Sequence, residues 1–166
     1  GCICCSLVGD FGEALKKVIT EYSPDRILIE PSGVGKLSDV MAAVKNSAEG
    51  AELSAAVAVV DAKKCRMYMK NFGEFFNNQI ENASTIVLSH TKGLSSEKLN
   101  RTIEMIREHN AAARLVTADW NEINGADILA VIDGSDSLMA ALHKMEEEAA
   151  CHHHHDEECC CGEHHH

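Results

Sequence analysis

Three short, apolar-rich runs constrain this chain more than anything else in it: Ala55 to Val60, Ser84 to Leu88, and Arg114 to Thr117. A run that is apolar on both faces suits a strand covered from both sides, as in a parallel sheet between helix layers. Lys63 to Asn82 and Ser95 to Asn110 lie between these runs and carry helical periodicity; Ser95-Ser96-Glu97-Lys98 offers a serine cap and an early acid. Upstream, Phe11 to Tyr22 reads as a helix closed by Ser23-Pro24, and Leu37 to Lys45 as another. The β-branched run Arg26 to Glu30 reads as a further strand, followed by the turn Pro31-Ser32-Gly33. Gly125 to Val131 and Ser135 to Ala150 supply two more helices. Such alternation predicts a doubly wound α/β layer with right-handed crossovers. Ligands of such sheets sit at the carboxyl ends of the strands, which here carry Glu30, Asp61 and Ser89. Asp61 taken alone fits a helix cap equally well.

A length of 166 residues suits one domain with a proper core. The formal charge of −11 is unevenly spread, because Glu146 to His166 hold seven acids and no Lys or Arg. No basic face is left to neutralise a phosphate backbone, so nucleic acid is not an expected partner. No apolar run is long enough to span a bilayer, and Gly1-Cys2-Ile3-Cys4-Cys5 lacks the regions of a secretory signal. A soluble, cytoplasmic protein without a membrane partner is expected.

Eight cysteines fall into two clusters, Cys2/Cys4/Cys5 and Cys151/Cys159/Cys160/Cys161, with Cys65 alone. Disulfide frameworks belong to small secreted domains with dispersed cysteines, whereas seven histidines share the second cluster here. Metal ligation explains the pattern better than disulfides or inert buried thiols do. Three thiols within four residues can converge on one soft ion, and three thiolates leave a vacancy suited to transfer. From residue 150 the chain is a flexible tail: Cys151, His152, His153, His154, His155, Cys159, Cys160, Cys161, His164, His165 and His166 offer eleven ligands of low specificity. That composition suits buffering of Zn²⁺, Co²⁺, Ni²⁺ or copper ions. His164 to His166 can also be read as the remnant of a purification tag.

Gly33-Val34-Gly35-Lys36 has the look of a phosphate loop but fails its template, with Glu30 at the first glycine position and Leu37 after the lysine. A strand ending in Glu30-Pro31-Ser32-Gly33 fits another role, in which the acid positions a water and the glycine amide approaches a γ-phosphate. With Cys2-Ile3-Cys4-Cys5 upstream, Glu30-Pro31-Ser32-Gly33 next, and Gln79 to Ser84 leading into a strand, the chain resembles the CobW-like P-loop GTPases, a family associated with metal delivery. The resemblance spans residues 1 to 132, and the tail by composition.

This resemblance implies a three-layer, P-loop NTPase-like, mostly parallel sheet, incomplete because the first strand and the P-loop are missing, over residues 1–149, with a disordered His/Cys-rich tail over 150–166. It implies Cys2, Cys4 and Cys5 as the internal metal site and Glu30 acting through water on the Mg²⁺ of GTP. Ser32 and Gly33 would line the γ-phosphate, and Ser89, His90, Thr91 and Lys92 would stand where the family reads guanine. The implied partners are nucleotide, a metal ion and an apo client metalloenzyme, with homodimerisation left open. Two departures stand out: no Walker A template occurs, so these residues alone are expected to bind GTP poorly or not at all and to be inactive as a GTPase, and Ser89-His90-Thr91-Lys92 replaces N-K-x-D. The carboxylate expected to accept from the guanine edge is thus replaced by a cation, which cannot accept. The leading expectation is a GTP-dependent metallochaperone for Zn²⁺ or a near neighbour. The rival is a non-enzymatic metal store or sensor on a degenerate P-loop scaffold. Direct hydrolase or oxidoreductase chemistry at the cysteines has no H-E-x-x-H or G-x-G-x-x-G motif behind it.

Overall fold

A computed structural model of the protein describes residues 8–31, 33, 35–47 and 50–134. The order of elements is α1 (Val8–Tyr22), α2 (Leu37–Ser47), β1 (Val57–Asp61), α3 (Cys65–Asn71), α4 (Gly73–Asn82), β2 (Thr85–Ser89), α5 (Ser96–His109), β3 (Arg114–Val116) and α6 (Gly125–Asp133). The three strands form one parallel sheet in the order β1-β2-β3. The protein is therefore α/β, with helical crossovers between consecutive parallel strands, as a P-loop NTPase-like fold requires.

Register explains why these runs are rich in apolar residues. Ala58 aligns with Ile86 and Val60 with Leu88, while Ile86 aligns with Leu115. These residues share one face, where they pack with Cys65 of α3, Ile80 of α4 and Ile106 of α5. Val59, Val87 and Val116 align on the opposite face. Val87 and Val116 are buried there, as is Val131 of α6, whereas Val59 is 60% exposed. With both its faces covered, β2 is buried from Thr85 to Leu88.

Helix boundaries follow local chemistry. Ser95 caps α5 as its sequence suggests, its side chain accepting from the Lys98 amide. The stretch read as one helix over Lys63 to Asn82 is two. The break falls at Phe72 (φ −122°, ψ 24°), and Gly73, a weak helix former, starts α4. Tyr68 meets Phe72 and Phe76 edge-on, with ring centroids 5.7 and 5.6 Å away, and so braces the corner.

Arg26 to Glu30 departs further from expectation, since no strand forms there. The segment has no regular secondary structure, Ile27 and Ile29 packing against Leu15, Val40 and Val44 of the α1–α2 pair while Leu28 is 89% exposed. Its alternation matches a strand, but among the described residues no neighbouring backbone forms a ladder with it. The helix expected over Ser135 to Ala150 lies outside the described residues. Among the described residues no helix is long and apolar enough to cross a membrane.

Candidate functional site

The register that aligns Asp61 with Ser89 brings the carboxyl ends of β1 and β2 side by side. The Ala62 amide donates to the Ser89 carbonyl at 2.9 Å and locks the two exits together. Beyond Ser89 the chain turns sharply, through His90 at φ 57° and Gly93 at φ 74°. A left-handed backbone at a residue other than glycine is uncommon and marks a locally imposed shape. Here His90 is held by its side chain, Nδ1 lying 3.2 Å from Ser89 Oγ and 3.5 Å from Asp61 Oδ2. Asp61 Oδ1 accepts from the amides of Lys63 and Lys64 at 2.9 and 3.2 Å. Asp61 is thus a cap to the following turn with one oxygen and a neighbour of His90 with the other.

The opposite wall comes from the loop after β3. Trp120 donates its indole N–H to the Leu88 carbonyl at 3.1 Å, which pins the ring beside the end of β2. Asp119 Oδ1 accepts from both the backbone and side-chain N–H of Asn121, at 2.8 and 2.7 Å. The Asn121 amide is the main reason the Asp119 carboxyl titrates below its ordinary range; burial opposes it, and the Asn121 side chain and the charge of Lys92 add to it. Between these walls lies a cleft of about 420 Å³, lined by Val59, Ser89, His90, Thr91, Lys92, Asp119, Trp120 and Asn121. A space of this size matches ordinary small-molecule sites.

Three features of the cleft point to a polar ligand. Lys92 makes no hydrogen bond or ion pair among the described residues, although its charge reaches Asp119. Asp119 Oδ2 accepts from none of them. Thr91 Oγ1 is buried with no hydrogen-bond partner among them. Lys92 and Asp119 are at least partly open to solvent, so a complementary ligand would exchange their hydrogen bonds with water for its own, and only the buried Thr91 hydroxyl carries a desolvation cost.

All four residues expected at the base-reading position, Ser89, His90, Thr91 and Lys92, line this cleft. Of the expected catalytic residues, Glu30 and Gly33 are not among those lining it. Glu30 is exposed in the irregular segment after α1, Gly33 is exposed in a turn with open space around it, and Ser32 lies outside the described residues. The chain just beyond is instead tied to α4. Gln79 donates to the Gly35 carbonyl at 2.7 Å, Lys36 pairs with Glu74 at 2.6 Å, and Ser38 exchanges hydrogen bonds with Asn78. The lysine of the rejected phosphate loop thus faces a carboxylate, whose pKa it lowers. Every candidate metal ligand lies outside the described residues: Cys2, Cys4, Cys5, Cys151, His152 to His155, Cys159 to Cys161, and His164 to His166. Among the described residues no group of three or more His, Cys, Asp or Glu could hold an ion.

Sequence reasoning passed over Asp119, Trp120 and Asn121. The rule that singled out Asp61 and Ser89 would have found them, since they follow the β3 run at its carboxyl end.

A parallel α/β layer with a cleft at the carboxyl ends of its strands defines a class of domain that binds its ligands there. The CobW/HypB/UreG nucleotide-binding domain model matches residues 1–117, and the chain belongs to that family. It has no match among the curated proteins or the solved structures.

Proposed function

We propose that this chain is the nucleotide-binding core of a GTP-dependent metallochaperone that carries Zn²⁺, or Co²⁺ or Ni²⁺, to an apo client metalloenzyme. One observation carries the reading: in a chain of this family, the Ser89–Lys92 loop opens a cleft of about 420 Å³ at the strand ends. Its chemistry fits a nucleotide base, which needs an aromatic face, a donor and an acceptor; Trp120, Lys92 and Asp119 offer them. Cys2, Cys4 and Cys5 would hold the cargo ion as thiolates, leaving one coordination position open for hand-over. Cys151, Cys159 to Cys161 and the histidines of the tail would collect ions at lower specificity. Glu30 would orient a water towards the Mg²⁺ of the nucleotide, and Ser32 and Gly33 would flank the γ-phosphate. Coupling would run through the Glu30–Gly33 loop, whose shape would respond to what occupies the phosphate side. The proposed setting is the cytoplasm, where thiolates stay reduced.

The test is a Zn²⁺ titration of GTP hydrolysis by the native protein, with and without Cys4→Ser. The rate should change with about one equivalent of metal, and the substitution should abolish that response. A rate indifferent to Zn²⁺ over the whole titration overturns the coupling.

The cation at Lys92, where the family carries an acceptor, favours a second reading as a non-enzymatic metal store or sensor. Deleting residues 151–166 separates the two. A store loses nearly all its metal capacity, whereas a chaperone keeps one tight equivalent on Cys2, Cys4 and Cys5.

A further inference from the structure

We propose that Asp119 and Trp120, from the loop after β3, read the base of a 6-oxopurine nucleotide, supplying from across the cleft the carboxylate that position 92 lacks. This rests on the nucleotide reading above and deepens it. The Ser89–Lys92 loop puts an ammonium where a base-reading carboxylate is expected, yet the cleft has not lost its carboxylate. Asp119 lines it from the facing wall, close enough to feel the charge of Lys92. Lys92 and Asp119 do not close on each other as an ion pair, and both remain available to a ligand that comes between them. Asn121 fixes the carboxylate through Oδ1 alone, with two hydrogen bonds, and Oδ2 is left to accept another.

Trp120 supplies the third element. Its N–H is committed to Leu88 O at 3.1 Å, so the ring is held at the cleft wall with 49% of the residue still exposed. An indole anchored by its own donor and half open to solvent is preorganised to stack on a planar ring.

Donor and acceptor strengths choose the base. Guanine and hypoxanthine present a lactam edge, an acidic N1–H beside the O6 carbonyl. Asp119 Oδ2 would accept from N1–H while Lys92 Nζ donates to O6, both as charge-assisted hydrogen bonds. Adenine has no proton on N1 and offers only the weaker N6–H donors, so its edge matches the pair less well. The assignment therefore predicts preference for guanine and hypoxanthine over adenine even though Lys92 cannot accept.

Trp120 is the sole tryptophan in the chain, which makes its fluorescence a local reporter. The native protein would be titrated with GDP, IDP and ADP, following Trp120 emission and, independently, heat by calorimetry. GDP and IDP should quench the emission and bind about tenfold or more tighter than ADP, the worth of one charged hydrogen bond. Asp119→Asn should erase most of that preference. Adding Lys92→Asp to Asp119→Asn, which returns a carboxylate to the other wall, should restore it and also shows that the cleft still folds. Trp120→Leu should weaken all three nucleotides by about tenfold or more by calorimetry, since stacking does not distinguish bases. If no nucleotide binds by either readout, the nucleotide reading itself fails. If GDP binds but Trp120 emission stays constant, or Asp119→Asn keeps the base preference, the assignment of Asp119 and Trp120 is overturned while the nucleotide reading stands.

Discussion

Replacing Asn110 by alanine should destabilise the domain more than any other single polar truncation outside the cleft. Asn110 ends α5 in an extended conformation (φ −147°, ψ 93°), its amide still donating to Ile106 O at 2.8 Å. Its side-chain NH₂ donates to the carbonyls of Ile80 and Ala83 at 2.8 and 2.9 Å, and to that of Glu81 at 3.4 Å. Its side-chain oxygen accepts from the amides of Ala113 and Ala112 at 2.9 and 3.2 Å. One amide thus satisfies orphan carbonyls at the end of α4 and shapes the turn that launches β3. Losing four well-formed bonds at roughly 0.5–1.5 kcal/mol each, with some groups recovering water, predicts a cost of about 2–4 kcal/mol. Urea unfolding followed by Trp120 fluorescence and by far-ultraviolet circular dichroism measures this. With a urea m-value of about 2 kcal/mol per molar, the midpoint should fall by about 1–2 M at constant m. Asn110→Asp should be no better than alanine, because it sets carboxylate oxygens against the carbonyls of Ile80 and Ala83. A midpoint shift below about 0.3 M for Asn110→Ala would refute the reasoning, since it would mean water replaces those bonds at no cost.

Two further outcomes follow from buried polar groups. Thr85 is fully buried at the start of β2, and its Oγ1 has no hydrogen-bond partner among the described residues. Thr85→Val, nearly equal in shape, should therefore raise stability by about 1 kcal/mol in the same urea assay; a loss of that size would show that the hydroxyl is satisfied. Burial, and secondarily the charge of Asp61, pushes the Cys65 thiol up to about 11. A thiol whose folded pKa is raised contributes stability fully present below the unfolded value of about 8.5 and lost as pH rises through the folded one. Peptide-resolved alkylation at about pH 8 should accordingly spare Cys65 until urea is added, and equal labelling rates with and without urea would contradict its burial.

What could be read along the chain and what could not divide by the range of the interactions involved. The runs ending at Asp61, Ser89 and Val116 became strands because apolar neighbours claim both faces of β2 and at least one face of β1 and β3, a demand already present in three to six consecutive residues. Ser95 became a cap for an equally local reason. Arg26 to Glu30 satisfied the same local pattern, and Ile27 and Ile29 do turn inward, but towards α1 and α2 rather than into a ladder. A strand is a relation between two backbones, and no alternation within one of them can guarantee the other. The cleft makes the same point about function. Ser89 to Lys92 could be placed from their position after a strand, whereas Asp119 becomes relevant only because Thr85 aligns with Arg114 and Val87 with Val116. That register carries the loop after β3 alongside the loop after β2, some thirty residues earlier in the chain. A cation at position 92 looks like a lost specificity when the loop is read alone. Set across from Asp119 and Trp120, it is one half of a donor–acceptor pair.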